Sequence, residues 1–255
     1  MLRCAYRWMS QVVDPRFVLR GIGAYPRYLY DWFRYRRLHG DDVAALCDTY
    51  PQLHDRTSTT GYDRHYFYMS AWATRRIVNA KPMVHVDVGG HNLFVAQLSA
   101  MIPVKFVDIR PLEATLSGME CLAGSILNLP FADNSLESLS CLHVAEHIGL
   151  GRYGDPLDQM GTLKAARELS RCLQPGGNLL FAVPVGKSRV QFNAHRIFDP
   201  NAICAYFETL ALQEFSVVRD DGSFVENADR RACADDRYAC GMFRFTKRIE
   251  AARKA

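Results

Sequence analysis

The sequence predicts an α/β domain, a mostly parallel sheet with helices on both faces, preceded by a basic, aromatic-rich helical arm. Three observations predict it. Short apolar runs at 83–88, 104–108, 136–143 and 179–183 each close on a polar or glycine-bearing turn and alternate with helix-like stretches, the pattern of βαβ units and a parallel sheet. The first run ends in an acid and a glycine turn that leads into a helix. The first forty residues differ in charge from everything after them.

Residues 1–40 hold eight arginines against Asp14 and Asp31, a net charge of +6, interleaved with nine aromatic side chains from Tyr6 to Tyr35. The chain of 255 residues as a whole carries only +4, so the remaining 215 stand at −2. Arginine mixed with Trp and Tyr suits an anionic membrane surface, where rings sit among headgroups and guanidinium groups pair with phosphates. The competing reading is a helical hairpin packed on the domain with its arginines solvated. Arginines and Asp14 interrupt every candidate signal-peptide core, and no apolar run reaches about 18 residues. The expectation is therefore a cytoplasmic protein with an arm over 1–40, either peripheral at the inner membrane or packed on the domain, and a single domain over 41–255.

Within that domain Asp41 is placed to cap a short helix through Cys47, and 55–61 reads as a polar loop. Helical spacing over 63–79 puts Tyr66, Met69, Ala73 and Ile77 on one face. A helix follows the glycine turn over 93–100. The clearest helix spans about 157–173, with Leu163, Ala166, Leu169 and Leu173 on one face, and stops at Pro175-Gly176-Gly177. Further strands are predicted at 215–219 and 242–247.

Composition removes several functions. With 49% hydrophobic and 23% charged residues the chain is neither disordered nor fibrous, and its mild net charge gives no sign of a nucleic-acid binder. The eight cysteines are scattered without a C-x-x-C pair, which fits a reducing compartment, although Cys233 and Cys240 could bridge in an oxidising one. No His, Asp or Glu grouping has ligand spacing, so no metal is assigned, and nothing indicates an oligomeric state.

The chemistry is expected at the carboxyl ends of the strands. Val84-His-Val-Asp-Val88 runs into Gly89-Gly90-His91-Asn92, so backbone N–H groups can approach a ligand while Asp87 accepts from an ammonium or hydroxyl group. About 20 residues on, Val104-Lys-Phe-Val-Asp108 ends in a second acid, placed to accept both hydroxyls of an adenosine ribose. Two strand-end acids around a glycine turn also fit a nicotinamide-linked oxidoreductase.

Further segments narrow the choice. Leu129-Pro130-Phe131-Ala-Asp133-Asn-Ser135-Leu136-Glu137 enters the fourth strand, Leu142-His143-Val144-Ala-Glu146-His147 leaves it, and Leu173-Gln-Pro-Gly-Gly-Asn-Leu-Leu180 enters the fifth. In order and spacing, residues 82–185 resemble the class I S-adenosylmethionine-dependent methyltransferases, with their "L-P-F-x-D-x-S-F-D", "x-E-H" and "L-K-P-G-G" segments. The stretches 142–156, 189–198 and 63–68 look like an uncharacterised methyltransferase-like domain-of-unknown-function family found among surface-polysaccharide genes. The resemblance implies a Rossmann-like fold with a seven-stranded sheet and S-adenosylmethionine as cofactor. It implies Asp87, Gly89 and Gly90 at the methionine end, Asp108 on the ribose and Ile109 on one adenine face. Ser125 and Ile126 would stand at the adenine edge, with His143 alongside. The usual D-x-G-x-G-x-G reads Asp87-Val-Gly89-Gly90-His91-Asn92-Leu93, so His91 and Leu93 replace glycines and a side chain at His91 would crowd the cofactor unless the loop has moved.

Methyl transfer to a hydroxyl asks the protein to position the nucleophile and remove its proton. His195 and His147 are the two candidate bases, each with a suitable intrinsic pKa. Glu146, Arg152, Tyr153, Asp155 and Asn193 are the candidate acceptor contacts, since a carboxylate and a ring in a glycine-bearing loop suit a sugar; the same loop, 149–156, also reads as a turn that starts the next helix. His65, Tyr66 and Tyr68 are either a lid or core, and His85 is a satisfied strand residue. The leading expectation is O-methylation of a sugar or glycan precursor in surface-polysaccharide synthesis. The alternative is a methyltransferase-fold protein without turnover, serving as a binding or scaffold module in glycan assembly.

Overall fold

The computed structural model describes residues 6, 9–39 and 46–249. They fall into two compact units divided between Tyr62 and Asp63, so the boundary expected at residue 40 lies inside the first. Most of the helix expected over 41–47 falls outside the described residues; a single 3-10 turn is seen at Leu46–Asp48.

In the first unit α1 (Pro15–His39) is one continuous helix of 25 residues, with no hairpin turn in it. Asp14 starts it: the Arg16 backbone N–H donates to its Oδ1 (2.9 Å), and the Tyr6 hydroxyl donates to its Oδ2 (2.9 Å). Pro15 follows where its missing N–H has no helical partner to lose. The apolar side chains Phe17, Leu19, Ile22, Leu29, Phe33 and Leu38 all remain exposed. Among the described residues no helix is long and apolar enough to cross a membrane.

The second unit runs α2 (Arg64–Ala80), β1 (His85–Val88), α3 (Asn92–Ser99), β2 (Val104–Asp108), β3 (Met119–Ala123), β4 (Leu136–Leu142), α4 (Gly161–Cys172), β5 (Leu173–Val185), β6 (Arg189–Gln191), β7 (His195–Ile197), α5 (Pro200–Tyr206), β8 (Leu210–Val218), β9 (Phe224–Val225) and β10 (Ala239–Lys247). Eight strands form one sheet in the order β3-β2-β1-β4-β5-β10-β8-β9, while β6 and β7 make a separate hairpin. The first five are parallel, and β10, β8 and β9 add antiparallel. The sheet thus has one strand more than the expected seven. The extra one is the two-residue edge β9: Gly222, at φ +86°, and the Ser223 N–H donating to Asp221 Oδ1 (2.8 Å) turn the chain back onto Val217 and Val218.

Both faces of the sheet are covered. Ala165, Ala166 and Leu169 of α4 pack with Ile203 of α5 on one side, and Met69, Trp72 and Ile77 of α2 pack with Phe94 and Leu98 of α3 on the other. Trp72 rather than Tyr66 completes the buried face of α2, because its indole N–H finds a buried acceptor in Glu214 (2.9 Å). Each of the Leu, Ile, Met and Phe side chains among them contributes about 1.5–3 kcal/mol on burial. Strand order reverses at β1, which lies between β2 and β4, and that reversal opens a crevice beyond the strands' carboxyl ends.

Candidate functional site

The crevice begins at the glycine turn. Asp87 is fully buried; its Oδ1 accepts from the Gly90 N–H (2.8 Å) and its Oδ2 from the Ser140 hydroxyl. Burial pushes its pKa up to about 6, against the two hydrogen bonds and helped by the Asp108 charge. Behind it, the His85 ring lies between Ser138 Oγ (2.8 Å to Nδ1) and Ser140 Oγ (2.8 Å to Nε2). Because Ser140 donates to Asp87, it must accept from His85 Nε2–H, which leaves Nδ1 to accept from Ser138. Burial holds this ring neutral, with a pKa near 3. A Cβ at Gly90 would lie 2.3 Å from Asp87 Oδ1, and Gly89, at φ +67°, would push one to 3.0 Å from Val144, so both positions require glycine. His91 does not crowd the turn. It caps α3, its Nδ1 accepting from the Leu93 N–H (3.3 Å), and its side chain is exposed.

Beyond the turn lies a cleft of about 510 Å³, its open mouth included. Gly89, Asp108, Ile109, Ile126 and His143 line it, as do Val144, His147 and Tyr153. Asp108 Oδ1 accepts from the Arg110 N–H (2.7 Å), which fixes the carboxylate at the end of β2. The cleft suits an adenosine-bearing group, with a carboxylate for the ribose, apolar side chains for a ring, and two glycines where a Cβ would fill space.

The other half of the cleft is built from imidazoles. Glu146, buried, has Oε1 at 2.7 Å from His143 Nδ1 and 3.7 Å from His147 Nε2. Burial opposes charge on the His143 ring, but the Cys240 sulfur and the Glu146 carboxylate outweigh it and hold its pKa well above the ordinary histidine value. Burial likewise opposes charge on Glu146, and His143 overrides it, so the two form an ion pair. His147 Nδ1–H donates to the Ala194 carbonyl (2.6 Å), which leaves Nε2 as the acceptor. Burial lowers the His147 pKa, only partly offset by Glu146 and that carbonyl. The His195 pKa is lowered by burial too, its Nε2 is buried without a partner, and its ring lies 4.8 Å from that of Tyr238.

The loop after His147 is held from below. Gly149 takes φ +80° where a Cβ would sit 2.0 Å from the Asp158 carbonyl. Buried Arg196 clamps it, donating from Nη1 to the Ile148 carbonyl (2.5 Å) and from Nη2 to that of Asp158 (2.9 Å). Asp155 accepts from the backbone N–H groups of Gly149 (2.6 Å) and Tyr153 (3.2 Å), so its carboxylate shapes the loop from within. Arg152 donates to the Ala194 carbonyl (3.0 Å), and the guanidinium groups of Arg110 and Arg152 lie 4.5 and 5.1 Å from the Tyr153 ring centre.

Of the residues singled out in the sequence, Gly89, Asp108, Ile109, Ile126, His143, His147 and Tyr153 meet in the cleft. Asp87 and Gly90 support it from behind. Ser125 closes a neighbouring turn through the Leu127 N–H (3.2 Å), and Asn193 is exposed between β6 and β7. Tyr66 is exposed with its ring 5.7 Å from that of His143, whereas Tyr68 is half-buried and stacks on Phe224. Cys233 and Cys240 are both free thiols. Sequence spacing missed Arg196, Tyr238 and a convergence of His65, His143 and Cys240, whose donor atoms all lie within 4.8 Å of one another. For Arg196 a signal existed in its place directly after His195; the other convergence has none.

The family described as "Caenorhabditis protein of unknown function, DUF268" matches residues 128–221, a stretch that holds β4, the imidazoles His143, His147 and His195, and the clamped loop. No curated protein sequence matches the chain significantly. Among solved structures it is similar to the [4+2]-cyclase SpnF (TM-score 0.54, 12% identity, covering 76% of this chain and 85% of the other). It is also similar to the Burkholderia thailandensis 1,6-didemethyltoxoflavin-N1-methyltransferase, solved with S-adenosylhomocysteine (0.52, 13%, 71% and 77%). A third is the N-methyltransferase NodS of Bradyrhizobium japonicum WM9 (0.50, 12%, 73% and 98%). The fold is that of these methyltransferases. A cyclase shares it, so the fold alone fixes no chemistry.

Proposed function

We propose that the chain is an S-adenosylmethionine-dependent methyltransferase acting on a hydroxyl group of a sugar or glycan precursor in surface-polysaccharide synthesis. The observation that carries the reading is one cleft lined both by Asp108, between glycine and apolar walls, and by His147, whose Nδ1 lies 2.6 Å from the Ala194 carbonyl and so leaves Nε2 as the acceptor. Asp108 would hold the ribose, Ile109 and Ile126 the adenine, and Gly89 would admit the methionine end. When bound, the cofactor supplies a methyl group on a positively charged sulfonium. His147 Nε2 accepts the proton of the acceptor hydroxyl, and its Nδ1–H bond to the Ala194 carbonyl keeps the ring aimed. Burial, by lowering its pKa, keeps that base neutral at physiological pH. The guanidinium groups of Arg110 and Arg152 beside the Tyr153 ring offer donors for the hydroxyl groups of such an acceptor.

Calorimetric titration with S-adenosylhomocysteine tests the cofactor. Micromolar binding is expected, weakened about 10- to 100-fold in Asp108→Ala, the worth of a hydrogen bond to a charged group. No heat at high micromolar ligand overturns the reading and favours a binding module without turnover.

The exposed apolar side chains of α1, together with its six arginines against Asp31, support a second element of the proposal: contact with an anionic membrane from the cytoplasmic side. Sedimentation with anionic vesicles should fall when Arg34, Arg36 and Arg37 are changed to Glu, at about 1 kcal/mol per arginine. Unchanged binding removes the membrane from the proposal.

A further inference from the structure

We infer that His65, His143 and Cys240 form a binding site for a zinc-type transition-metal ion, which shares His143 with the cleft but is independent of the methyl-transfer reading. The three come from separate places: His65 from α2, His143 from the turn after β4, and Cys240 from β10. Each offers one donor atom, and the three atoms lie within 4.8 Å of one another. In a tetrahedral site with metal–nitrogen bonds of about 2.0–2.1 Å and a metal–sulfur bond of about 2.3 Å, donors stand about 3.3–3.6 Å apart. Closing the difference takes about an ångström of side-chain movement. The His65 and His143 rings, parallel within 1° at 5.5 Å, must also turn for both lone pairs to meet. His65 is only half-buried and belongs to the first turns of its helix, so the movement falls on it.

A second observation points the same way. His143 Nδ1–H donates to buried Glu146 (2.7 Å), and the same ring lies within hydrogen-bonding reach of the Cys240 side chain. A carboxylate held on one ring nitrogen is the support found behind metal-bound histidines. The backbone at His143 takes φ +57°, a conformation that L side chains rarely adopt, so the ring's position is imposed by its surroundings. Two imidazoles and a thiolate are a borderline-soft set suited to Zn²⁺ or Co²⁺ and poor for Mg²⁺ or Ca²⁺. The charges also close: a dication, the Cys240 thiolate and the Glu146 carboxylate sum to zero, which a buried site favours. Binding must displace the proton of the Cys240 thiol, and any proton on His143 Nε2, into solvent. Three protein donors leave one tetrahedral position open, the arrangement of ions that also bind a small molecule.

The test uses the full, tag-free chain, stripped with a chelator and titrated with Co²⁺ in the absence of any methyl donor. One equivalent is expected to bind, with visible bands of tetrahedral intensity, a sulfur-to-cobalt charge-transfer band, proton release, and displacement by Zn²⁺. Cys240→Ser should abolish the charge-transfer band, and His65→Gln should weaken Zn²⁺ binding in a competition assay. Glu146→Gln should keep the band and weaken the affinity about 10- to 100-fold. The absence of a charge-transfer band, or a band that survives Cys240→Ser, overturns the site. Because His65 is the least buried of the three, its variant keeps the inference testable if the Cys240 variant misfolds: a His65→Gln chain that folds and binds Zn²⁺ as tightly as wild type also overturns it. The S-adenosylhomocysteine titration is separate, so failure of either reading leaves the other standing.

Discussion

The cleft has two halves built on different principles. The half around Gly89 and Asp108 is made by contiguous chain: a strand, a turn and a helix deliver its groups in sequence order, and backbone geometry does most of the shaping. The half around His143, His147 and His195 is made by convergence, with Glu146 and Tyr238 packed among rings from segments up to a hundred residues apart. The first half has its polar groups matched, since Asp87, Ser140, His85 and Ser138 form a closed chain of hydrogen bonds. The second leaves Glu146 Oε2 and His195 Nε2 buried and without hydrogen-bonding partners. Buried polar atoms without partners cost about 1–3 kcal/mol each, so each calls for a partner such as an ordered water, an ion or a ligand. The contrast assigns holding to the first half and proton or ion chemistry to the second.

The sharpest way to break this contrast is at His147. Changing it to Gln keeps a donor for the Ala194 carbonyl and removes the base. With a panel of glycosides as acceptors and S-adenosylhomocysteine release as the readout, turnover is expected to fall about 10²- to 10⁴-fold. The wild-type rate should rise with pH through a value below the ordinary histidine pKa and then level, and the variant should lose that rising limb. An unchanged rate in His147→Gln moves the base to another group, with His195 next in line, and the two-halves contrast fails where it matters most.

The same contrast governs what the sequence revealed. Asp87, Gly89, Gly90 and Asp108 were legible because strand, turn and helix fix their relation within some twenty residues. His147 was legible because it directly follows a strand that had to end at the ligand edge. His65, Cys240 and Tyr238 were not, because their meeting depends on how α2 crosses the sheet and how β10 pairs with β5 and β8, and neither leaves a local pattern. Asp155 misled for a related reason. A carboxylate in a glycine-bearing loop reads alike whether it faces a ligand or, as here, the loop's own N–H groups. Two strands of the sheet were not located in the sequence: β9, whose two residues are too few to alternate, and the edge strand β3, whose residues Met119–Ala123 are only half-buried or exposed.

A smaller effect tests whether the holding half is as settled as its hydrogen bonds suggest. Asp87 has a folded pKa of about 6, above the ordinary carboxyl value of 3.8, because burial outweighs its two donors. The native state therefore keeps this proton after the unfolded chain has lost it. Below about pH 4 both states are protonated and the residue is neutral toward stability. Between about pH 4 and 6 stability falls as pH rises, and above that window the loss is complete at about 3 kcal/mol. Asp87→Asn cannot titrate. The stability of the variant minus that of wild type, measured by denaturant unfolding without ligand at pH 4, 5, 6 and 7, should thus climb by about that amount across the window; any fixed offset from altered bonding to Ser140 and Gly90 drops out. A difference that stays flat would mean that the Ser140 and Gly90 donors already outweigh burial. Asp87 would then be a settled carboxylate, and both halves of the cleft would differ only in how their residues are delivered.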